Sequence, residues 1–322
     1  MLNLTLQPAG ITQAMKIVSL SLIALLWTVT PSLGQSDRTQ FVGITCQDGL
    51  TILDGIHPVL TYQSATKSKA GKWPRANYVH PLYDLDGEVL TEDFPADHGH
   101  HRGVFWAWHQ VIVDGQQIGD AWTCQDFAWE VVQLRPSRAP GLAMVEAVVN
   151  WKSPKLLDDE SQPIPIAEEK VQIRVHESEE RYRVIDFDLR LKALLPQVQI
   201  GGSNNEKGYG GFSPRIKLTE DLVFSGSGGE VEPTKTALQV GPWVNVSNSQ
   251  RGLAIMTHPK NPGEPDTWIL RRAKSMQNPS YPGQHPVELP VDKAIRLQYR
   301  LVIHRGNLSA EELNELHADF AK

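Results

Sequence analysis

From Phe41 onward the chain is a succession of short apolar-rich runs broken by turn residues. The repeat within those runs is two residues, the period of a strand with one buried face. Tyr182–Leu191 is the clearest case. Ile185, Phe187, Leu189 and Leu191 share one parity, and Val184, Asp186, Asp188 and Arg190 share the other. Asp48-Gly49 between Phe41–Gln47 and Leu50–Leu53 signals a tight hairpin, and Asp84–Gly87 signals a second. Further strands are expected at 58–63, 77–83, 103–113, 127–134, 142–151, 171–177, 210–218, 238–246, 252–258, 267–271 and 294–304. Segments 63–75 and 152–166, rich in Lys and Ser or in Asp and Pro, read as exposed loops.

A single helix closes the chain. Ser309 with Glu312 three residues on makes a capping box, and Leu313, Leu316 and Phe320 form its apolar stripe. About fourteen strands and one terminal helix predict an all-β protein, a large antiparallel β-sandwich. Strands do not alternate with helices, which argues against Rossmann and TIM architectures.

Composition changes this picture little. Hydrophobic residues are 40% of the chain and charged residues 21%, as in soluble globular proteins. A net charge of −6 removes electrostatic support for a nucleic-acid partner.

The N-terminus does add something. Met15-Lys16 precedes the 13-residue apolar run Ile17–Val29, and Ser32 and Gly34 supply small residues before Gln35. Residues 1–34 therefore read as a secretory signal, with Met15 as an alternative start. The run falls short of the roughly 20 residues of a membrane span. Residues 35–322 are then one exported domain, periplasmic or extracellular, without a stable membrane span. In that setting Cys46 and Cys124 can pair, and a buried free thiol is the alternative.

Chemistry concentrates in Thr91–His109. His98, His100, His101 and His109 lie there with Asp93, Asp97, Arg102, Trp106 and Trp108, and His80 precedes them. Two roles suit the cluster. His98 and His100 can hold a divalent metal, or a histidine can move protons while Arg102 neutralises developing charge. In an extended segment His98 and His100 share a face and His101 points away, so two of the three would converge. Trp106 and Trp108 share a strand face and offer a stacking surface for sugar rings. Trp73, Trp122, Trp243 and Trp268 are further candidates.

Two other constellations stand out. The Gly-rich stretch Gly201–Arg215 lacks the Lys-Ser/Thr ending of a phosphate loop, but presents Glu206, Tyr209 and Arg215. His258 ends a predicted strand and is followed by Pro259.

Tyr78-Val-His-Pro-Leu-Tyr83, Asp93-Phe-Pro-Ala-Asp-His98, His100-His-Arg-Gly103, Tyr209-Gly-Gly211, His258-Pro-Lys-Asn-Pro262 and the segment from Tyr299 to Gly306 together resemble the signature of a bacterial PmoA-like family. The resemblance implies a large sandwich comparable with galactose-mutarotase-like enzymes, in exported proteins of polysaccharide-degrading bacteria. The family's methane-oxygenase label would imply copper held by the histidines, and no apolar span for such a membrane enzyme follows the signal segment.

The expected activity is thus that of a carbohydrate-active enzyme working by hydrolysis, elimination or epimerisation, with a non-catalytic glycan-binding module as the alternative. His98, His100, His101, Arg102 and His258 are the expected catalytic groups. His80, Asp97, Trp106, Trp108, Tyr209 and Arg215 are the expected substrate contacts. His258 and Arg215 should reach the cluster from distant strands.

Overall fold

A computed structural model describes residues 41–46, 48–263, 267–274 and 276–322. The signal-segment reading falls outside these residues. Every pairing between described strands is antiparallel, and two large sheets dominate.

One sheet has six strands, in the order Phe41–Cys46, Gly49–Asp54, His57–Gln63, Tyr78–Leu82, Val104–Ala107 and Gly211–Pro214. The other has nine. Its long central strands are Leu142–Leu157, Pro163–His176, Tyr182–Ala193 and Ile295–Arg305. The two sheets share a core in which Trp106 and Phe212 of the first meet Phe187 and Tyr299 of the second. Phe212 stacks on Tyr299 at 4.4 Å between ring centroids, and Phe187 stands edge-on to Phe212 at 5.0 Å. The architecture is the antiparallel all-β sandwich that the alternating pattern predicts.

The nine-stranded sheet buries alternate residues, as its sequence requires. Ala143, Val145, Ala147, Val149 and Trp151 all lie on the core face. Glu169 shares that face without a cation. It accepts from Asn77 Nδ2 at 2.9 Å, from Trp151 Nε1 at 2.8 Å and from Trp106 Nε1, and burial holds its carboxyl above the usual range.

The opposite face departs from a simple polar exterior. Asp186 and Asp188 are buried there, because Arg300 and Arg296 lie across them at 2.6 Å. One end of this face is capped by the terminal helix Ala310–Phe320. Leu313 and Phe320 pack in a cluster with Val184, Met256 and Val302, and the Ser309–Glu312 capping box forms.

The expected loop at 152–166 is instead an overhanging hairpin, formed because the two neighbouring strands run on to Leu157 and resume at Pro163. Its turn is held by Asp158, whose carboxylate accepts from the amides of Glu160 and Gln162. The segment 63–75 likewise contains a short hairpin, Lys67–Lys69 with Lys72–Arg75. Cys124 is a free, buried thiol.

One difference matters most for function. The single expected strand 103–113 is two strands in two sheets, Val104–Ala107 in the six-stranded sheet and Gln110–Val113 in a four-stranded one. Its partner breaks at the same level. Ala107 pairs with Gly211, and Gln110 pairs with Gly201. Between those pairs lie only Trp108 and His109 on one side, but residues 202–210 on the other. The extra residues form the Gly-rich loop, and His109 stands at the switch between sheets.

Candidate functional site

The loop before that switch turns tightly. His101 N donates to His98 O at 2.8 Å, so the segment is not extended and the parity argument does not apply. All three histidines consequently gather. His98 and His101 stack at 4.8 Å with 6° between planes, and His100 stands edge-on to His101 at 4.6 Å. Glycine is required twice here. A Cβ at Gly99 would overlap the Trp73 ring, and Gly103 has φ +39 with Val79 O where a Cβ would sit.

Arg215 anchors this loop from beneath. It is buried and donates from Nη1 and Nη2 to Asp97 at 3.0 and 2.9 Å, and from Nε to Glu92 at 2.7 Å. Arg215 therefore does reach the cluster, as a brace rather than as a ligand contact. Asp97 is held far below the usual carboxylate range by Arg215 and His98 against the opposing effect of burial.

A cleft of about 370 Å³ opens above, within the ordinary range of small-molecule sites. His98, His100, His101, His109, Trp122, Thr123, Lys207, Tyr209, Arg271, Ala273, Lys274 and Met276 line it. Burial lowers His100 to about 4, assisted by the Arg75 charge, and lowers His101 to about 2, assisted by His100 and His98. Both rings are therefore neutral donors and acceptors at neutral pH.

His109 is differently placed. Its Nδ1 lies 2.9 Å from Asp120 Oδ2, and its ring stacks on Trp122 at 5.3 Å. The Asp120 carboxylate is kept ionised by His109 and by the Thr123 amide. An ionised carboxylate cannot donate, so Nδ1 carries the shared proton. In the neutral ring Nε2 then bears the lone pair. Nε2 is shielded from water and makes no hydrogen bond. Tyr209 stands edge-on at 5.1 Å; burial raises its hydroxyl, while the Arg271 charge pulls it back down.

Arg75 supports this wall. Fully buried between Phe105 and Trp129, it donates from Nη2 to Ala121 O at 2.7 Å and Trp122 O at 3.0 Å. It thereby fixes the turn that carries Asp120.

Several expected site residues lie elsewhere. Arg102 has no exposure; its guanidinium donates to Asp93, the Tyr78 hydroxyl and the Lys67 and Trp73 carbonyls, and is sandwiched by Phe94 and Tyr78. Trp106 and Trp108 are core residues whose indoles donate to Glu169 and to Tyr281 O, so neither offers a stacking surface. His80 bonds Thr91 Oγ1 at 2.9 Å outside the cleft. His258 does not approach the cluster. It accepts from Lys260 N at 3.0 Å and packs edge-on to Phe320, because its strand ends beside the terminal helix.

For the metal reading of His98 and His100, no third ligand joins them: among the described residues no three His, Cys, Asp or Glu side chains converge, and His98 Nδ1 bonds Asp97 at 2.6 Å.

Sequence reasoning passed over Asp120, Lys207, Arg271 and Lys274. Lys207 lies in the Gly-rich stretch already singled out, which was the one available signal. His109 was visible in the cluster but carried no mark of its own.

The neutral imidazoles predict a pH effect. A histidine whose folded value is depressed stabilises the fold above its ordinary value near 6.5, and that stability is lost as pH falls toward the folded value. At pH 5, His100 and His101 together should add about two protons to the uptake on unfolding. Denaturant midpoints measured from pH 7 to 4 should fall, and His100→Asn/His101→Asn should flatten the slope.

Fold and cleft together define a β-sandwich protein with a histidine-lined cleft at a switch between sheets. The sequence matches DUF6807, a family of unknown function, over residues 50–318, and the chain belongs to that family. This corrects the PmoA-like resemblance. No functionally curated protein matches the chain.

Two solved structures are similar in fold. A mutant of the heparan sulfate lyase HepC from Pedobacter heparinus has 8% identity and a TM-score of 0.37 over 85% of this chain. The chain spans 36% of that protein's length. YeaD from Salmonella typhimurium, a candidate mutarotase, has 11% identity and a TM-score of 0.39, covering 84% of this chain and 92% of its own. Among the described residues no helix is long and apolar enough to cross a membrane.

Proposed function

We propose that this protein is an exported saccharide-acting enzyme that removes a proton from a sugar carbon, as a lyase or an epimerase. The observation that carries the reading is His109. Its Nδ1 is tied to an ionised Asp120, its ring lines the cleft, and its Nε2 has no hydrogen-bond partner but is covered in this structure, so the ring or its cover must turn for Nε2 to meet substrate. That arrangement suits a general base whose proton-accepting nitrogen is fixed by the group behind it. Tyr209 beside it supplies a phenol that can return a proton or protonate a leaving oxygen, and burial, outweighing the Arg271 charge, holds that hydroxyl above its ordinary value and so protonated.

Of the three reactions expected from sequence, glycoside hydrolysis is the least favoured. It ordinarily uses two carboxyl groups facing the bond, and no described Asp or Glu lines this cleft. A saccharide suits the lining, where imidazoles, a phenol and ammonium groups meet hydroxyls and Trp122 forms a flat wall. A binding module alone would not need the Asp120–His109 pair.

The reaction predicts two measurable signatures. Incubation with a saccharide panel in deuterated water should give either an unsaturated product, seen by its ultraviolet absorbance, or deuterium at one ring carbon. Release of saturated reducing ends with neither signature would overturn the reading in favour of hydrolysis.

A further inference from the structure

The charges around the cleft identify the class of its ligand. Three cations line it, Lys207, Arg271 and Lys274, and no described carboxylate does. In a chain of net charge −6 this is a local inversion of sign. Nor are the three neutralised from behind. Lys207 and Lys274 form no ion pair with a described residue. Arg271 is half-buried and is held by carbonyl oxygens alone, Thr234 and Leu270 at 2.8 Å and Lys235 at 3.2 Å. The contrast with the next residue is direct, since Arg272 pairs with Glu232 at 2.7 Å. Most other buried or half-buried arginines here are similarly matched, as in Arg215 with Asp97, Arg183 with Asp54 and Arg300 with Asp186.

Convergent cations without counter-ions raise the local concentration of anions and stabilise one that is bound. We propose that the cleft takes a saccharide bearing a carboxylate, a hexuronate, with the anion seated among Arg271, Lys207 and Lys274. The ligand class stands on the charges; its chemical consequence rests on the proton-transfer reading above.

A sugar C–H is removable only when its carbon adjoins an electron-withdrawing group, and a neutralised carboxylate is such a group. Once a turn of the ring or its cover opens it to the cleft, His109 Nε2 would take the proton from the carbon bearing the carboxylate. The C–H electron pair would become a carbon–carbon double bond as the bond to the neighbouring ring-substituent oxygen breaks. That oxygen would leave with the proton of the Tyr209 hydroxyl, and His109 would later restore it. In the epimerase variant no bond to oxygen breaks, and a proton returns to the opposite face.

The test is calorimetric titration of the full chain with uronate oligosaccharides of several linkages and with their carboxyl-reduced, neutral counterparts of equal length. At least one uronate should bind about tenfold or more tightly than its neutral counterpart, and its affinity should fall between low and physiological salt. Lys207→Gln/Lys274→Gln and Arg271→Gln should each weaken uronate binding by about tenfold and neutral binding by less than about twofold.

Equal binding of neutral and acidic forms, or no binding by any uronate, would overturn the proposal. Tighter binding of O-sulfated, carboxyl-reduced sugars would overturn the assignment to a carboxylate. The two readings separate cleanly. Uronate binding without turnover sinks the enzyme reading alone, whereas turnover of neutral sugars that depends on His109 sinks the anion proposal alone.

Discussion

His109→Gln is expected to lower turnover by about 10²–10⁴-fold, the usual contribution of a positioned acid–base group. Glutamine keeps most of the ring's length, and its amide can still donate to Asp120, so the turn at 120–125 should persist. What glutamine lacks is a nitrogen that can accept a proton. Thermal unfolding should therefore shift little, and substrate affinity by calorimetry should stay within about threefold. Asp120→Asn should lose activity as well, because an amide no longer fixes which ring nitrogen carries the proton. Turnover in His109→Gln within a few-fold of wild type would exclude His109 as the base. His98→Gln is the useful contrast. That ring is largely exposed and bonded to Asp97, so its loss should cost far less.

Arg102→Met should be the most damaging single change to stability, by about 3–5 kcal/mol, as when one partner of a buried ion pair is removed. The variant leaves Asp93 without its guanidinium and the Lys67 and Trp73 carbonyls without a donor. In a chain of this size that corresponds to a fall in Tm of roughly 10 °C. Arg102→Lys should not restore it, since a single ammonium cannot serve so many acceptors while lying between two rings. Differential scanning calorimetry checks both. An Arg102→Met protein that unfolds like the wild type but loses activity would reinstate a direct role in the chemistry.

Glu169 and Arg75 teach a related point about reading charge from sequence. Each is fully buried without an opposite charge; Glu169 is satisfied by neutral groups from distant segments, whereas Arg75 finds carbonyl acceptors for Nη2 and leaves Nε and Nη1 without a partner. Asn77, Trp106 and Trp151 meet at Glu169 only because two sheets face each other. Nothing within several residues of Glu169 marks it as a core acid. Conversely, the histidine loop was legible, since four imidazoles within twelve residues rarely serve packing alone. Its geometry was not, because parity assumes an extended chain and the His98–His101 turn breaks that assumption.

By itself, the sequence determined the β class, the capped terminal helix and the two stretches that form the cleft, the histidine loop and the Gly-rich segment. These follow from local rules, in which period two selects strands and a serine–glutamate spacing starts a helix. Tertiary structure decided which members of those stretches meet. Alternation tells that a residue faces one side of a strand, but not whether another sheet, a helix or solvent lies there. Trp106, Trp108 and Arg102 thus went to the interior, and His258 went to the terminal helix. The decisive choice was a pairing register. Ala107 faces Gly211 and Gln110 faces Gly201, so the chain bends between sheets at His109 and the longer partner loops out beside it. Long-range hydrogen bonding fixes that register, and no local pattern in 103–113 encodes it.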